Sequence, residues 1–552
     1  MQWINNLIPV RPSIILVLLV VMASATNPAM AARELSPALA PAVQTQWGLV
    51  RGLDNGGTFA YLGIPFAAPP LGALRWTAPI DHPSWQGERT TQSYPLKCPQ
   101  QDQDGLVVGN EDCLYLNVWT PSSAIPGGAL PVLVFLHGGG NSSGSTSESL
   151  TEVSSSIVLY DGQNLAESNE ILVVTVQYRL GALGFLDHPS FLGENTQSLA
   201  GNYGLLDQIK ALKWVQDNIS QFGGDPDKVL LFGESAGALD TCMLLVSPAA
   251  AGLFQRALMQ SGGCVAKPLS QGLAEGLDLS RKVGCEDDPD PASCLRNTAA
   301  STLVTAVDTQ SIVSGLVRMP FGPTIDGLLI PQEPLSALRA GQFNHLPFII
   351  GSNADEMLPS VPEMTSAAYI NAVHALLDPF GSSFASQALA LYPIAPGYYS
   401  DGKSAFAAVA TDSQFTCPAR RIARAVETSQ SEPVYRYFFS QALRFPFSSY
   451  GAFHGLELAF LFQHLSFPPF YDPSAQEQYL MDAMGGYWSR FAESGNPNAY
   501  NVPMWPPYAA ESDPILDLNY GIASGEGLRT TKCDFWDTLP TYKIHLPVIL
   551  RP

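Results

Sequence analysis

The sequence predicts an α/β fold in which helices flank a mostly parallel central sheet, and three observations support this. Short apolar runs typical of buried strands recur at residues 131–136, 171–177 and 229–232. Between two of these runs, residues 205–218 show the apolar spacing of a helix. The run at 229–232 leads through a tight turn into residues 238–246, which are mostly apolar and favour a second helix. Strands that alternate with helices form parallel sheets covered on both faces.

Composition indicates a large folded core. The chain has 552 residues, of which 46% are hydrophobic and 14% charged, so it is too apolar to be disordered. This length could hold two or three average domains. Large α/β proteins of this length also form one domain with insertions, and we expect residues 33–552 to do so. No internal repeat or low-complexity tract argues for another organisation.

The N-terminal segment has the features of a secretory signal. An apolar stretch at residues 14–22 follows Arg11 and is too short to span a membrane. Small residues follow at 23–25 and at 29–31, so we predict a signal peptide over residues 1–31, cleaved after about residue 25 or 31. An N-terminal membrane anchor is the alternative interpretation. No later stretch is long and apolar enough to span, so we expect a secreted, extracellular protein without stable membrane insertion.

Charge and cysteine content bear on partners and compartment. The formal net charge of −21 argues against nucleic acid, whose phosphates would be repelled. Eight cysteines suit an oxidising compartment, although sequence alone cannot fix their connectivity. Cysteines and histidines never fall at zinc spacing, so we expect no metal site.

Two N-x-S/T sequons are present, at Asn141 and Asn218. Asn218 precedes a turn, and we predict that it carries a glycan. Asn141 follows a glycine run described below, and we expect it to be too close to the functional site for modification.

The tight turn after residues 229–232 is the first candidate for chemistry. Residues 233–237 read G-E-S-A-G, which fits G-x-S-x-G. In this motif a serine sits in strained backbone between a strand and a helix, so the glycines two residues away leave room for the turn. The turn would expose the Ser235 hydroxyl to a histidine. The helix N-terminus that follows would direct N–H groups at a developing negative charge.

A glycine run follows another predicted strand. Residues 137–140 read H-G-G-G directly after the apolar run at 131–136. Glycines let the backbone approach a ligand without obstruction by Cβ atoms, and such loops supply N–H donors to an oxyanion in folds of this class. A plain glycine turn is the alternative.

A serine nucleophile of this type needs an acid and then a histidine later in the chain. Asp355 and Glu356 follow the predicted strand at residues 346–351, and chemistry alone cannot choose between them. Four histidines come later, namely His374, His454, His464 and His545. Of these, His454 lies in the loop G-A-F-H-G-L-E, which has flanking glycines and precedes an apolar run.

These motifs together resemble those of a known family. The block F-G-G-x4-V-L-L-F-G-E-S-A-G at residues 222–237 and E-D-C-L at residues 111–114 resemble the two signatures of the type-B carboxylesterase/lipase family. This family includes cholinesterases, carboxylesterases and some fungal lipases. The resemblance extends over residues 45–540 and indicates a secreted member of the fungal type. It implies an α/β-hydrolase fold with helical insertions over the active site.

The resemblance also implies roles for individual residues. The catalytic residues would be Ser235, Glu356 and His454, where Glu356 matches G-x-N-x-x-E and His454 matches H-G-x-E. Oxyanion donors would be Gly139, Gly140 and Ala236, and a supporting polar network would contain Glu234, Ser261 and Glu457. The implied disulfides are Cys98–Cys113, Cys285–Cys294 and Cys417–Cys533, which leaves Cys242 and Cys264 unassigned. The chain departs from the family at Asn141, where an aromatic residue is usual, so the pocket is expected to be more polar.

The implied activity is that of a secreted serine carboxylesterase that acts through an acyl-enzyme and needs no cofactor. Its partner would be a small-molecule ester, and the sequence does not define an oligomeric state. The loop between Cys98 and Cys113 is short and has no tryptophan, whereas in cholinesterases and lipases it carries the choline-binding tryptophan or a lid. We therefore expect an open pocket for soluble esters with short to medium acyl chains. The alternatives are a lipase or sterol esterase of the same family, and a non-catalytic cholinesterase-like binding protein.

Overall fold

The structure is a computed structural model that describes residues 38–539, except 103, 150–156, 193–200, 308–311, 314–315, 318–320 and 468–470. The predicted signal peptide at residues 1–31 lies outside the described residues. The strands are β1 (Leu39–Thr45), β2 (Gly48–Asp54), β3 (Thr58–Pro65), β4 (Glu88–Thr90), β5 (Gln100–Gln101), β6 (Val107–Val108), β7 (Tyr115–Pro121), β8 (Leu130–Leu136), β9 (Leu172–Val176), β10 (Gly224–Glu234), β11 (Arg256–Gln260), β12 (Lys267–Pro268), β13 (Ile312–Val313), β14 (Leu316–Val317), β15 (Thr324–Ile325), β16 (Phe348–Asn353), β17 (Val434–Phe439), β18 (Pro514–Leu518) and β19 (Ala523–Glu526). The helices are α1 (Gln163–Asn169), α2 (Gly181–Phe185), α3 (Tyr203–Asn218), α4 (Ala236–Val246), α5 (Leu269–Lys282), α6 (Pro291–Asn297), α7 (Ala300–Ala306), α8 (Pro334–Arg339), α9 (Ser366–Leu377), α10 (Ser382–Leu391), α11 (Gly402–Thr411), α12 (Cys417–Glu427), α13 (Leu456–Leu461), α14 (Ala475–Ser494) and α15 (Thr530–Asp537).

One 13-stranded sheet organises the molecule, in the order β1-β2-β3-β7-β9-β8-β10-β11-β16-β17-β18-β19, with β4 beside β2. Neighbouring strands are parallel from β9 through β18. The strands before β9 in this order pair antiparallel along the main path, and so does β19 at the opposite edge. The predicted α/β fold with a mostly parallel central sheet is confirmed.

Side chains of the central strands alternate between two apolar cores, one on each face of the sheet. On β10, Val229 and Leu231 point into one core, while Leu230 and Phe232 point into the other. All four are fully buried. Because both faces are covered, these strands read in the sequence as continuous apolar runs rather than as alternating patterns. This explains why the runs mark the parallel part of the sheet.

Helix α14 begins earlier than its sequence pattern indicates. Residues 487–498 are typical of a helix stopped by Gly495 and Pro497. The helix does end there, with Gly495 in the left-handed region at φ 74°, but it begins at Ala475. Its start is fixed by a capping box, in which Ser474 and Glu477 each bond the backbone N–H of the other.

Four disulfides are present among the described residues. Three are the pairs implied by the family resemblance, and the fourth joins Cys242 of α4 to Cys264, which follows β11. The two cysteines that the sequence left unassigned therefore pair with each other. No helix within the described ranges is long and apolar enough to cross a membrane.

Candidate active site

Ser235 lies at the turn between β10 and α4, at the carboxyl end of a central strand. Its backbone has φ 56° and ψ −118°, a conformation that L-residues rarely adopt and that is common at functional sites. The flanking glycines are sterically required: a Cβ on Gly233 would lie 2.3 Å from the backbone of Gly237, and one on Gly237 would lie 2.0 Å from Leu136 O. The turn is anchored by a hydrogen bond from Ser235 N to Gln260 O of 2.9 Å.

His454 is held by Glu356. Its Nδ1 lies 2.6 Å from Glu356 Oε2, and its backbone N donates to Glu356 O at 3.1 Å. Glu356 is fully buried, and its other carboxylate oxygen accepts a hydrogen bond from Asn353 N at 2.7 Å. The neighbouring Asp355 instead accepts from Ala452 N at 3.0 Å in the loop before the histidine. Of the two adjacent carboxylates, Glu356 is thus the one that binds the imidazole.

The other imidazole nitrogen faces Glu234. His454 Nε2 lies 3.2 Å from Glu234 Oε1, so the histidine reaches the residue that immediately precedes Ser235. Within the part of the chain that the structure describes, Ser235 Oγ and His454 form no hydrogen bond. Such bonds are often long in ligand-free enzymes and tighten when substrate binds. The structure therefore places His454 between Glu356 and Glu234, and Glu234 immediately precedes Ser235 in the chain.

The carboxylates around His454 control its charge. Burial alone would lower the pKa of His454, but the negative charges of Glu234 and Glu356 outweigh burial and raise this pKa to about 9. Burial raises the pKa of Glu234. Burial and repulsion from Glu234 and Glu356 raise the pKa of Glu457 to about 8. An imidazolium is therefore stabilised at this position.

The supporting polar network differs in part from the predicted one. Glu457 accepts hydrogen bonds from Asn353 Nδ2 and, at 3.2 Å, from Gln260 Nε2. Ser261, predicted to belong to this network, is fully buried, but its hydroxyl has no hydrogen-bond partner among the described residues. Asn353 also donates to Phe453 O at 2.8 Å and so positions the loop that carries the histidine. Asn353 is the asparagine of the same G-x-N-x-x-E pattern that contains Glu356, so the sequence carries a signal for this residue as well.

The glycine loop after β8 lies against the serine. A Cβ on Gly138 would lie 3.0 Å from Ser235 Cβ. Gly139 and Gly140 both have positive φ, at 111° and 63°. Their N–H groups donate to no atom of the described residues, and Ala236 is the first residue of α4, where N–H groups lack an intrahelical acceptor. These three N–H groups are therefore available to a ligand beside Ser235.

The short loop between Cys98 and Cys113 is tied to the glycine loop. Gln100 Nε2 donates to Gly144 O at 2.9 Å, and Gly144 N donates to Gln100 Oε1 at 2.8 Å. The loop itself folds back as the β5–β6 hairpin. This pair of hydrogen bonds fixes the loop next to the site.

The asparagines of both sequons are buried. Asn218 is 1% exposed, its Nδ2 donates to Trp214 O at 2.8 Å, and its Oδ1 accepts from Gln46 N at 2.8 Å. The side-chain nitrogen that a glycan at Asn218 would modify is therefore buried and hydrogen-bonded in this structure. Asn141 is also fully buried. Across the described ranges, no group of three or more histidine, cysteine or acidic side chains could hold a metal ion.

The fold and the site together define a hydrolase of the serine esterase type. A sequence model of the carboxylesterase family matches residues 39–536, so the chain belongs to the carboxylesterase family and is a carboxylic ester hydrolase. It is 34% identical over 558 residues to carboxylesterase 5A of Canis lupus familiaris, covering 92% of this chain and 91% of that protein. It is 34% identical over 490 residues to para-nitrobenzyl esterase of Bacillus subtilis, covering 86% and 94% of the two chains. A solved structure titled PNB esterase superposes with a TM-score of 0.75 at 34% identity, covering 90% of this chain and 99% of the other.

Proposed function

We propose that Ser235, His454 and Glu356 form the catalytic triad of this esterase, with Gly139, Gly140 and Ala236 as the oxyanion hole. The observation that carries the proposal is the pairing of an elbow serine at φ 56° with a histidine bound to a buried carboxylate at 2.6 Å. The order Ser–Glu–His along the chain is the one found in α/β-hydrolases.

In the first half of the reaction, Ser235 Oγ attacks the ester carbonyl carbon. The neutral His454 Nε2 takes the hydroxyl proton, and the carbonyl π electrons move to the oxygen. The N–H groups of the oxyanion hole stabilise that charge, and loss of one such donor typically costs about 3 kcal/mol. When the tetrahedral intermediate collapses, the C–O bond breaks and His454 returns the proton to the leaving alcohol. In the second half, His454 activates water, which hydrolyses the acyl-enzyme to the carboxylic acid and frees Ser235.

Glu356 and Glu234 would act differently on this histidine. Glu356 binds Nδ1 throughout and fixes the orientation of the ring. Glu234 faces Nε2, the nitrogen that must bond Ser235, so His454 must shift from Glu234 towards the serine for proton transfer. Both charges stabilise the imidazolium that forms in the transition state.

We propose that the substrates are soluble esters with short to medium acyl chains. Support comes from the short Cys98–Cys113 loop, which has no tryptophan and is fixed by Gln100, so it offers neither a choline-binding aromatic nor a large mobile lid. The second candidate is a lipase or sterol esterase of the same family. A non-catalytic binding role fits poorly because the complete set of Ser235, Glu356 and His454 is retained.

We further propose that the protein is secreted after cleavage within residues 1–31. The four disulfides support an oxidising compartment, since such bonds rarely persist in the cytosol. Mass spectrometry of the mature N-terminus from a secreting host tests this. A mature chain that starts near residue 26 or 32 is expected, and an intact Met1 on the cell membrane would contradict secretion.

The first experiment is hydrolysis of p-nitrophenyl esters from acetyl to palmitoyl by the protein and by Ser235→Ala. Maximal turnover at short to medium chains, absent in Ser235→Ala, is the expected result. Maximal turnover at long chains, above the solubility limit of the substrate, would favour the lipase instead. No turnover of any ester, together with no labelling by an organophosphate, would favour the binding role.

A further inference from the structure

Behind the glycine loop lies a buried polar cluster that the triad does not use. It consists of Asn141, Asp240 and Gln208, all three of which are fully buried. Asn141 Nδ2 donates to Asp240 Oδ1 at 2.9 Å, and Gln208 Nε2 donates to Asp240 Oδ2 at 2.6 Å. A buried carboxylate is costly unless its oxygens are bonded, so this arrangement calls for an explanation.

The three residues belong to three different elements around the oxyanion hole. Asn141 directly follows Gly140 in the glycine loop. Asp240 lies on α4, one helical turn after Ala236. Gln208 lies on α3, which packs beside α4. Asp240 thus bonds both Asn141, which follows the glycine loop, and Gln208 on the neighbouring helix, and its own helix supplies the third proposed oxyanion donor.

Asn141 is well suited to transmit this contact to the loop backbone. It has φ 53°, a left-handed conformation that asparagine tolerates better than most residues. Its carbonyl accepts a hydrogen bond from Gly181 N at 2.6 Å. The residue is therefore held through both backbone and side chain, immediately after two glycines that have little conformational preference of their own. Because glycines are flexible, contacts such as those of Asn141 are needed to keep the N–H groups of Gly139 and Gly140 directed at the same oxyanion.

We propose that Asp240 is a positioning residue for the oxyanion hole: through Asn141 it holds the glycine loop in register with the first turn of α4. The two halves of the hole, Gly139 and Gly140 on the loop and Ala236 on the helix, are thereby kept at a fixed separation. This inference rests on the proposed serine mechanism and deepens it. Asp240 touches neither substrate nor reacting atoms.

The test compares variants that remove the hydrogen bonds with one that retains them. Asp240→Leu fills similar volume but leaves Asn141 Nδ2 and Gln208 Nε2 without an acceptor. Asp240→Asn can still accept from Gln208 and can donate to Asn141 Oδ1, which has no partner among the described residues. Asn141→Gly is compatible with the left-handed backbone and removes the side-chain amide that donates to Asp240 Oδ1.

Steady-state hydrolysis of p-nitrophenyl acetate gives the primary readout. Asp240→Leu and Asn141→Gly should each lower kcat by about 10- to 100-fold, the effect of small displacements of oxyanion donors, with KM within about threefold of wild type. The double variant should be no slower than the slower single one, because both changes break the same link. Asp240→Asn should stay within about threefold of wild type. Binding of a trifluoromethyl ketone, whose adduct with Ser235 carries an oxyanion, should weaken in parallel with kcat.

A matched control separates positioning from general destabilisation. Thr175→Val breaks another fully buried hydrogen bond, from Asn117 Nδ2 to Thr175 Oγ1 at 2.9 Å, which joins β7 to β9 and involves none of the proposed oxyanion donors. It should lower the melting temperature and leave kcat unchanged. If Asp240→Leu does not fold, Asn141→Gly carries the test, since it alters only a loop.

Several results would overturn the inference. These are wild-type kcat in a folded Asp240→Leu or Asn141→Gly, equal losses in Asp240→Asn and Asp240→Leu, or multiplicative losses in the double variant. Ser235→Ala, assayed in the same series, distinguishes failure of the mechanism itself. Undiminished turnover in that variant would remove the basis of the proposed function, whereas lost turnover with an insensitive Asp240 would sink this inference alone.

Discussion

Glu234 and Glu356 lie at opposite nitrogens of the same imidazole: Glu234 Oε1 lies 3.2 Å from His454 Nε2, and Glu356 Oε2 lies 2.6 Å from Nδ1. The ring therefore lies between two buried carboxylates, of which Glu356 makes a hydrogen bond to it, whereas Glu234 Oε1 has no hydrogen-bond partner among the described residues. Glu356 occupies the nitrogen that faces away from the chemistry. Glu234 lies at the nitrogen that receives the proton of Ser235 in the proposed mechanism, so removing its charge should change how activity depends on pH.

We expect Glu234→Gln to move the acid limb of kcat/KM to lower pH. His454 must be neutral to act as a base, and its raised pKa of about 9 means that activity falls as pH drops through that range. Removing the charge of Glu234 lowers the pKa of His454, typically by about one unit or more for a contact of this length. The pH profile of kcat/KM for a soluble p-nitrophenyl ester measures the shift.

Asp355→Asn is the matched control for that profile. Its carboxylate bonds Ala452 N rather than the imidazole, and asparagine can accept the same hydrogen bond. The control should leave the acid limb in place. An unchanged limb in Glu234→Gln, or an equal shift in both variants, would contradict the assignment of Glu234 to His454 Nε2.

Substitutions of the adjacent residues Asp355 and Glu356 test which of them is the acid of the proposed triad. Glu356→Gln should lower kcat by about 10³- to 10⁴-fold, because an amide at this position stabilises the wrong imidazole tautomer. Asp355→Asn should change kcat by less than about tenfold. Both rates can be measured with one ester at saturating concentration. A larger loss in Asp355→Asn than in Glu356→Gln would reverse the roles of the two residues.

Gly139→Ala should damage the oxyanion hole. A Cβ there would lie 2.1 Å from Ser143 O, at a φ of 111° that alanine disfavours, so the loop must move. Displacing a donor of this kind costs about 10²- to 10³-fold in kcat. Gly127→Ala is the control, because Gly127 also has positive φ, at 75°, but a Cβ would meet nothing within 4 Å. Equal losses of kcat in the two variants would show that backbone strain, not the hole, is responsible.

Local patterns in the sequence predicted the fold and singled out candidate site residues. The strand β10, the turn at Ser235 and the loop at His454 are recognisable because each depends on neighbouring residues: apolar runs for burial and glycines for sharp turns. Parallel strands that end at one edge of the sheet then bring these turns together. For that reason, the local patterns single out Ser235 and His454, whereas Glu356 is distinguished from Asp355 only by the resemblance to the family pattern.

The contacts between distant parts of the chain could not be predicted in the same way. Asp240 and Asn141 are 99 residues apart, and neither lies in a motif that predicts a buried hydrogen bond between them. The sequon at Asn218 is a local pattern, whereas the hydrogen bond that Asn218 Oδ1 accepts comes from Gln46 N, 172 residues away. The pairing of Cys242 with Cys264 likewise follows from the adjacency of α4 and β11 rather than from spacing alone.

The buried carboxylate of Asp240 predicts a distinctive dependence of stability on pH. Burial raises the pKa of Asp240 to about 7, and the hydrogen bonds from Asn141 and Gln208 only partly offset this. The folded protein therefore binds this proton more tightly than the unfolded chain, whose aspartates titrate near pH 4. The stabilisation is present below the unfolded pKa and is lost as pH rises through the folded pKa, by a few kcal/mol at most. Tyr178, the other titratable group that interacts with Asp240, has its pKa raised well above its usual value by burial and so stays neutral over this range.

Asp240→Asn should therefore raise the melting temperature relative to wild type at pH 8, and the gain should shrink towards pH 4. The reason is that the amide carries no charge to bury, can still accept the hydrogen bond from Gln208 Nε2 and can donate to Asn141 Oδ1 in place of the bond that Asp240 accepts from Asn141. Differential scanning calorimetry at both pH values measures the effect, with Asp227→Asn as the control because Asp227 is exposed to solvent. The control should alter the melting temperature little at either pH. A gain for Asp240→Asn that is equal at pH 4 and pH 8 would show that Asp240 does not titrate in this range, and a loss at pH 8 would show that its charge stabilises the fold.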